Sequence, residues 1–312
     1  MSANSALRTQ DSGLNSLRAF AQLLRIPNVF TALADICLGW LASGGLNKDD
    51  WSPFFFLLGA SACLYSAGMV LNDYFDVEVD RKERPFRPIP SARISRRAAG
   101  WLGSALLVAG VALAGSQSNM TNVRPLETAV LLALFILLYD GGLKRYWAGP
   151  LAMGMCRFLN VLLGQSAGSR LSEVESIHLA AVVGVYIVGV TWFARRETER
   201  SGRPQLLAAA AVLLVATILA LLLLVWRDPV TAPEVVLYPV LLVAWGVVIG
   251  APIGKAIAKP EPANVQAAIK RCLMGLVGLD AVLAFAFVGW PGLAILLLLL
   301  PGLWLGRWVY ST

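Results

Sequence analysis

Apolar segments long enough to cross a lipid bilayer recur along the whole of this chain of 312 residues. A helix needs about 20 mainly apolar residues to cross a hydrocarbon core of roughly 30 Å, and in lipid the backbone must satisfy its own hydrogen bonds. The candidate spans are residues 28–44, 53–71, 97–115, 125–143, 148–168, 177–194, 204–226, 234–253, 271–289 and 291–309. The composition agrees, because 57% of the residues are hydrophobic and only 14% are charged. The sequence therefore predicts an all-α fold, a polytopic bundle of nine to ten transmembrane helices.

The basic residues predict the orientation of this bundle. With a cytoplasmic N-terminus, nearly all of the 26 lysines and arginines lie on the inner side. The exceptions are Lys48, Arg124, Arg157, Arg170 and Arg227. Such a bias is typical of cytoplasmic loops, so we expect a multi-pass protein of the cytoplasmic membrane with its N-terminus inside. The net charge of +7 then reflects topology and contact with anionic lipid, and no nucleic-acid partner is expected.

The two ends of the chain carry further predictions about the number of spans and the domain bounds. Residues 1–26 form a polar N-terminus and a short amphipathic interfacial helix, and residues 27–312 form the membrane domain. No cleaved signal peptide is expected, because no basic and apolar run with a small-residue cleavage site appears. Residues 289–292, Gly-Trp-Pro-Gly, are either an external turn between two spans or a kink in one long helix. Arg307 lies inside only if the tenth span exists, which favours ten.

A cluster of carboxylates follows the second candidate span. Residues 72–80 are Asn-Asp-Tyr-Phe-Asp-Val-Glu-Val-Asp. On a helix, Asp73, Asp76 and Asp80 fall on one face, and Asn72 joins Asp76 and Asp80 at a spacing of four. Three like charges near lipid repel one another, which predicts a cation among them. A hard divalent metal with oxygen ligands is the natural candidate.

A basic run comes immediately after these carboxylates. Its members are Arg81, Lys82, Arg84, Arg87, Arg93, Arg96 and Arg97. Carboxylates for a metal beside arginines for phosphate predict a site for a metal-bound diphosphate at the membrane surface. The alternative is a solvated charged loop between two membrane helices, which gives no reason for four polar ligands to share one helical face.

Several polar side chains lie inside candidate spans, where lipid disfavours them. They are Asp35, Asp140, Arg157, Asn160 and Asp280. Asp35 is expected to line a cavity, whereas Asp280 either lines one or satisfies a neighbouring helix. Arg157 and Asn160 are three residues apart and share a face, and Arg157 could pair with Asp140 or with an aspartate of 73–80.

Together these motifs resemble the UbiA-type intramembrane prenyltransferases. The family motif N-D-x-x-D-x-x-x-D matches residues 72–80, and its R-P-hydrophobic-P-S-G/A-x-I-S run matches residues 87–95. Further agreement comes from Pro27-Asn28, Tyr139 with Lys144, and Gly154, Arg157, Asn160 and Gly164. The resemblance is good over about residues 24–196 and looser beyond.

The resemblance implies a fold of nine helices around a central cavity that opens to lipid. It also implies a reaction, the transfer of a prenyl group from a polyprenyl diphosphate to a hydrophobic or aromatic acceptor. The implied cofactor is Mg²⁺. At the matching positions, the implied catalytic and metal-binding residues are Asn72, Asp73, Asp76 and Asp80. The implied diphosphate contacts are Arg81, Arg87 and Lys144, and the cavity residues are Asp35, Tyr139, Arg157 and Asn160.

The loop after the sixth span departs from the family pattern. In place of a second aspartate motif, D-x-x-x-D, residues 194–204 contain only Glu197 and Glu199 as carboxylates. Glu197 is a further candidate metal ligand, and Arg195 and Arg196 are candidate phosphate contacts. In this respect the chain resembles a divergent branch, the UbiA-like proteins named EboC, for which the resemblance implies no settled reaction.

Two hypotheses about function therefore stand. The first is a Mg²⁺-dependent prenyltransferase, favoured by the intact first motif. The second is a non-catalytic protein of the same fold that binds or transports an isoprenoid or another small molecule, favoured by the altered second motif. A path through the membrane lined by Asp35 and Asp280 would favour the carrier, and a pocket closed on the outer side would favour the enzyme.

Overall fold

The computed structural model describes residues 16–168, 171–196, 202–226 and 232–309. The predicted metal ligand Glu197 lies outside these described residues, and only the backbone of Arg196 is described. The described residues form no β-strand, and their single isolated β-bridge joins Asn119 and Asn122.

The described part of the chain is a bundle of helices. They are α1 (residues 16–23), α2 (Ile26–Ala42), α3 (Ser52–Phe75), α4 (Val77–Glu83), α5 (Arg96–Gly115), α6 (Arg124–Gly141), α7 (Gly149–Gln165), α8 (Glu173–Phe193), α9 (Arg203–Leu222), α10 (Ala232–Ala258), α11 (Pro262–Val288) and α12 (Leu299–Trp308). A 3₁₀ segment, Trp290–Leu298, leads directly into α12. Each of the ten candidate spans thus corresponds to a helical segment, which confirms the all-α membrane bundle.

By length and composition alone, 8 of the described helices could cross a membrane. The two predicted spans outside this set are α6 and α7. α6 carries Arg124, Glu127 and Asp140, and α7 is only 17 residues long. Asp140 of α6 and Arg157 and Asn160 of α7 are buried against protein, as polar residues within membrane helices usually are, whereas Arg124 and Glu127 are exposed at the start of α6.

Local sequence signals explain several helix boundaries. Ser172 begins α8 with a capping box, in which its hydroxyl and the Glu175 carboxylate each satisfy a backbone N–H group. Ser95 caps α5 by accepting from the N–H of Ala98. Arg25 adopts a left-handed backbone (φ 48°) that separates α1 from α2.

The helix that carries the carboxylate motif is interrupted at Asp76. α3 ends at Phe75 and α4 begins at Val77, because Asp76 has a non-helical backbone (φ −90°, ψ 5°). The expectation of one continuous helical face through Asp73, Asp76 and Asp80 is therefore wrong. The break directs Asp76 to a different partner from the one that Asp73 and Asp80 share, as described below.

Helices α2 and α7 pack closely at the centre of the bundle. A Cβ atom on Gly39 would lie 2.4 Å from the carbonyl oxygen of Val161, and one on Gly164 would lie 2.7 Å from that of Ile36. Small residues allow such an approach between membrane helices. One apolar cluster joins α2 to α3, α5, α6 and α7, and another joins it to α8, α9, α10 and α11. The close contact brings side chains of α7 against those of α2.

Candidate functional site

A cavity of about 250 Å³ lies among α2, α3, α6 and α7. The end beside the charged motif, called the inner end below, is lined by Arg25, Asn72, Arg84, Arg87 and Asp140. The middle is lined mainly by Leu64, Gly68, Met69, Leu132, Ile136 and Met153, and the opposite, deep end by Ser61, Tyr65, Arg157 and Asn160. Tyr139 also contributes to the lining. The cavity is therefore polar at both ends and apolar between them, a shape that suits an amphiphilic ligand.

At the inner end, Arg87 joins two carboxylates of the motif. Its Nη1 donates to Oδ2 of Asp80 at 2.7 Å and to Oδ1 of Asp73 at 3.2 Å. Arg25 Nη2 also donates to Oδ1 of Asp73, at 3.2 Å. Asp73, Asp80 and Arg87 are all buried. Since buried charges require partners, these two carboxylates and two guanidinium groups form one mutually compensated cluster.

Asp76 belongs to a second cluster at the same end. Lys144 Nζ donates to Oδ2 of Asp76 at 2.7 Å and lies 4.0 Å from Oδ1 of Asp140. Asn72 Nδ2 donates to Oδ1 of Asp140 at 2.9 Å. The structure therefore brings Asn72, Asp76 and Lys144 together, and adds Asp140 to them.

Three residues at this end were absent from the predicted site: Arg25, Arg84 and Asp140. Arg84 lies in the basic run of the sequence, and Arg25 directly precedes the matched Pro27-Asn28 pair. Asp140 is adjacent to Tyr139 and is an ionisable residue within a predicted span. Those sequence signals were present, but only the fold shows that the three side chains line one cavity.

At the deep end, Arg157 forms an ion pair with Asp35. Arg157 Nη1 donates to Oδ2 of Asp35 at 2.9 Å, and Asn160 Nδ2 donates to the same oxygen at 2.8 Å. Arg157 Nη2 donates to Thr31 Oγ1 at 2.8 Å, and the guanidinium lies 5.3 Å from the ring centroid of Tyr65. The predicted pairing of Arg157 with Asp140 or with an aspartate of 73–80 is therefore wrong, because its partner comes from α2.

Asp35 itself does not line the cavity, contrary to the prediction. Its side chain is fully buried behind Arg157 and Asn160, which do face the cavity. Asn160 is held further by its bond to the Ala32 carbonyl at 2.8 Å and by Ser61 Oγ, which donates to its Oδ1 at 2.8 Å. The deep wall is thus a fixed polar surface with Asp35 beneath it.

Two predicted phosphate contacts lie away from the cavity lining. Arg81 is exposed and pairs with Glu78 one turn away, at 2.9 Å. Arg195 is exposed and donates to the backbone carbonyl of Tyr146. This arrangement gives no support to a role for either residue in holding diphosphate.

The inner end offers the donor types that Mg²⁺ prefers. Its carboxylates and the Asn72 amide supply hard oxygen ligands. Among the described residues, no group of three or more histidine, cysteine or acidic side chains converges to hold a metal ion. The carboxylates instead pair with Arg25, Arg87 and Lys144. The donor chemistry fits Mg²⁺ if the ion replaces Arg25, Arg87 and Lys144 as the partner of these carboxylates.

The fold and this cavity can now be compared with known proteins. Residues 29–276 match the sequence model of the UbiA prenyltransferase family. The chain belongs to the UbiA prenyltransferase family. That match begins within α2 and ends within α11, so it includes both halves of the bundle.

Curated UbiA relatives are similar over part of their length. A digeranylgeranylglyceryl phosphate synthase from Methanocaldococcus jannaschii is 31% identical over 175 residues, which cover 55% of this chain and 60% of that protein. One from Saccharolobus solfataricus is 33% identical over 150 residues, 48% of this chain and 51% of that protein. The alignments thus span about half to three fifths of these relatives.

Solved structures of UbiA proteins share the fold over most of the chain. A structure of digeranylgeranylglyceryl phosphate synthase superposes with a TM-score of 0.66 at 21% identity, covering 88% of this chain and 99% of that one. A UbiA homolog from Archaeoglobus fulgidus bound to GPP and Mg²⁺ gives 0.62 at 14% identity, with coverages of 85% and 99%. The chain therefore has the UbiA fold and is an integral, multi-pass membrane protein.

Proposed function

We propose that this chain transfers a prenyl group from a prenyl diphosphate to a lipophilic acceptor within the membrane, with Mg²⁺ as cofactor. The observation that carries the proposal is a cavity with an apolar middle that ends among buried carboxylates, arginines and a lysine. An isoprenoid tail suits the apolar middle, and a diphosphate suits the charged end. The basic inner loops favour the cytoplasmic membrane, with this end on the cytoplasmic side.

The motif residues have distinct roles in this proposal. Asn72, Asp73, Asp76 and Asp80 would hold Mg²⁺, and Glu197, which follows α8 in the sequence, is a further candidate ligand. When bound, Mg²⁺ supplies positive charge that stabilises the departing diphosphate. Arg87 and Lys144 exchange their present carboxylate partners for the phosphate oxygens, which are also negatively charged.

The other cavity residues bind and orient the organic groups. Arg25 and Arg84 add positive charge at the diphosphate end. Tyr139 lines the cavity beside Asp140 and offers an aromatic ring to a positively charged allylic carbon. The apolar middle excludes water, which would otherwise capture that carbon in place of the acceptor. Arg157 presents its guanidinium at the far end, where Asp35 and Thr31 fix it, and Asn160 holds the same Asp35 oxygen from beside it.

The relatives support a prenyl diphosphate donor and a lipid acceptor. The Archaeoglobus fulgidus homolog is known with GPP and with DMAPP, each together with Mg²⁺. The curated relatives above are named for digeranylgeranylglyceryl phosphate, a prenylated glyceryl phosphate. A geranylgeranylated glyceryl phosphate is thus the first acceptor to test, ahead of an aromatic one.

The test is transfer from radiolabelled prenyl diphosphates by the purified full chain, with Mg²⁺ and a prenylated glyceryl phosphate or a lipid extract. We expect a labelled lipid product and released diphosphate, both lost with EDTA and in Asp76→Ala. The matched control is Glu78→Ala, which removes an exposed carboxylate two residues away. Equal activity in both variants, or none in the wild type with any acceptor, would refute the proposal.

A non-catalytic binding or transport function is the second candidate. It is favoured by the loop of residues 194–204, where the chain has no aspartate. This function predicts that prenyl diphosphate binds with an affinity that falls in Asp76→Ala, while no diphosphate is released. The same assay therefore separates the two functions.

A further inference from the structure

A separate pair of buried carboxyl groups lies in the interior of the bundle, behind the deep wall of the cavity. Asp35 of α2 and Asp280 of α11 are both fully buried. Their carboxyl groups are close enough to interact directly, and Oδ1 of Asp35 and both oxygens of Asp280 are buried with no hydrogen-bond partner among the described residues. Oδ2 of Asp35 accepts from Arg157 and Asn160, as described above. No step of the proposed transfer uses Asp280.

The proton content of this cluster follows from its hydrogen bonds. Among the described residues, no N–H or O–H group reaches Oδ1 of Asp35 or either oxygen of Asp280. Two ionised carboxylates cannot hydrogen-bond to each other, because neither carries a hydrogen. Two negative charges facing one guanidinium would also leave an uncompensated charge deep in the bundle. One proton held between the carboxyl groups removes both penalties.

The other titratable groups that face Asp280 do not supply the missing donor. Cys37 of α2, Arg157 of α7 and Tyr186 of α8 all interact electrostatically with it. The hydroxyl of Tyr186 donates to the carbonyl of Cys272 at 2.7 Å, and Arg157 donates to other acceptors. These groups therefore leave the carboxyl pair itself to supply the hydrogen that a bond between its oxygens requires.

We propose that Asp280 carries a proton that it shares with Asp35, and that this carboxyl pair positions the guanidinium of Arg157 at the deep end of the cavity. Asp280 is then a positioning residue that acts through Asp35. With one proton present, the pair and Arg157 are neutral together. The ligand group that fits this wall is an uncharged oxygen that accepts hydrogen bonds, such as a hydroxyl or carbonyl of the acceptor.

The shared proton can be measured without any enzymatic assay. Infrared difference spectra of the full chain in nanodiscs at neutral pH should show the carbonyl band of a protonated carboxyl group, and Asp280→Asn should remove it. Asp49→Asn, which removes an exposed carboxylate, should leave the band intact. Asp35→Asn should also remove it, because Asp280 then ionises as the counter-ion of Arg157. A band that is absent from the wild type, or that survives both core substitutions, overturns the proposal.

The positioning role rests on the proposed transfer and has its own test. The amide of Asp280→Asn still donates to Asp35, so the KM for the acceptor should stay within about twofold of the wild type. Asp280→Leu leaves Oδ1 of Asp35 unsatisfied, so this KM should rise on the order of tenfold while the KM for the diphosphate is unchanged. Equal changes in both constants, or no change, would refute the positioning role. A chain that transfers no prenyl group refutes the proposed function instead, and leaves the infrared result to decide the shared proton.

Discussion

The guanidinium of Arg87 lies 2.7 Å from the carboxylate of Asp80, and both side chains are about 95% buried. This contact joins the R-P run to the carboxylate motif, which lie in separate segments on either side of the end of α4. Burying a single charged group away from water costs free energy, and the attraction of an oppositely charged partner offsets that cost. The inner end of the cavity is therefore held together by the charges that we expect to bind Mg²⁺ and diphosphate.

Removing Arg87 should destabilise the protein and create a dependence on Mg²⁺. Arg87→Gln leaves Asp73 and Asp80 without their shared cation, which should cost about 3–5 kcal/mol of unfolding free energy. Thermal unfolding in detergent measures this, and added Mg²⁺ should recover part of the lost Tm. Arg81→Gln is the control, since its exposed pair with Glu78 should change stability by less than about 1 kcal/mol. Similar Tm values for the two variants would contradict the contribution assigned to the Arg87 cluster.

Lys144 should be needed for transfer, whereas its neighbour Arg145 should not. Lys144 is largely buried and bonded to Asp76, while Arg145 is 64% exposed and lies 3.9 Å from the same carboxylate. Lys144→Met should lower kcat/KM for the prenyl diphosphate about 100-fold, the usual cost of losing one stabilising group. Arg145→Met should lower it by less than about threefold, because exposed ion pairs contribute little. Equal losses in the two variants would mean that the loop as a whole, not the buried amine, holds the diphosphate.

The sequence predicted the helical segments well, because they depend on a local pattern. Apolar length defines a span, and the spacing within residues 72–80 survives even though the helix breaks at Asp76. The partner of Arg157 was mispredicted because its contact with Asp35 joins residues 122 apart in the chain. No local pattern specifies that contact. It depends on the close packing of α2 against α7, which only the fold reveals.

That packing makes Gly39 sensitive to the smallest substitution. In Gly39→Ala, the added Cβ would lie 2.4 Å from the Val161 carbonyl oxygen and 2.8 Å from the backbone nitrogen of Gln165. Because backbone atoms cannot yield as side chains do, we expect a loss of about 1–3 kcal/mol in unfolding free energy. Gly246→Ala, where a Cβ meets nothing within 4 Å, should instead gain up to about 1 kcal/mol. Thermal unfolding of both variants tests this, and an unchanged Tm for Gly39→Ala would show that α2 and α7 can separate without cost.

The apolar middle of the cavity should set the length of the prenyl donor, and Gly68 is the position at which to test this. Gly68 lines the cavity on α3, and a Cβ there would lie 3.3 Å from Cγ2 of Ile136, which also lines it. Gly68→Val should narrow the passage, so that kcat/KM for geranylgeranyl diphosphate falls on the order of tenfold while that for dimethylallyl diphosphate stays within about threefold. Gly59→Val is the control on the same helix, because its side chain would meet Leu113 of α5 outside the cavity. A uniform loss for donors of every length would place the chain-length limit elsewhere in the bundle.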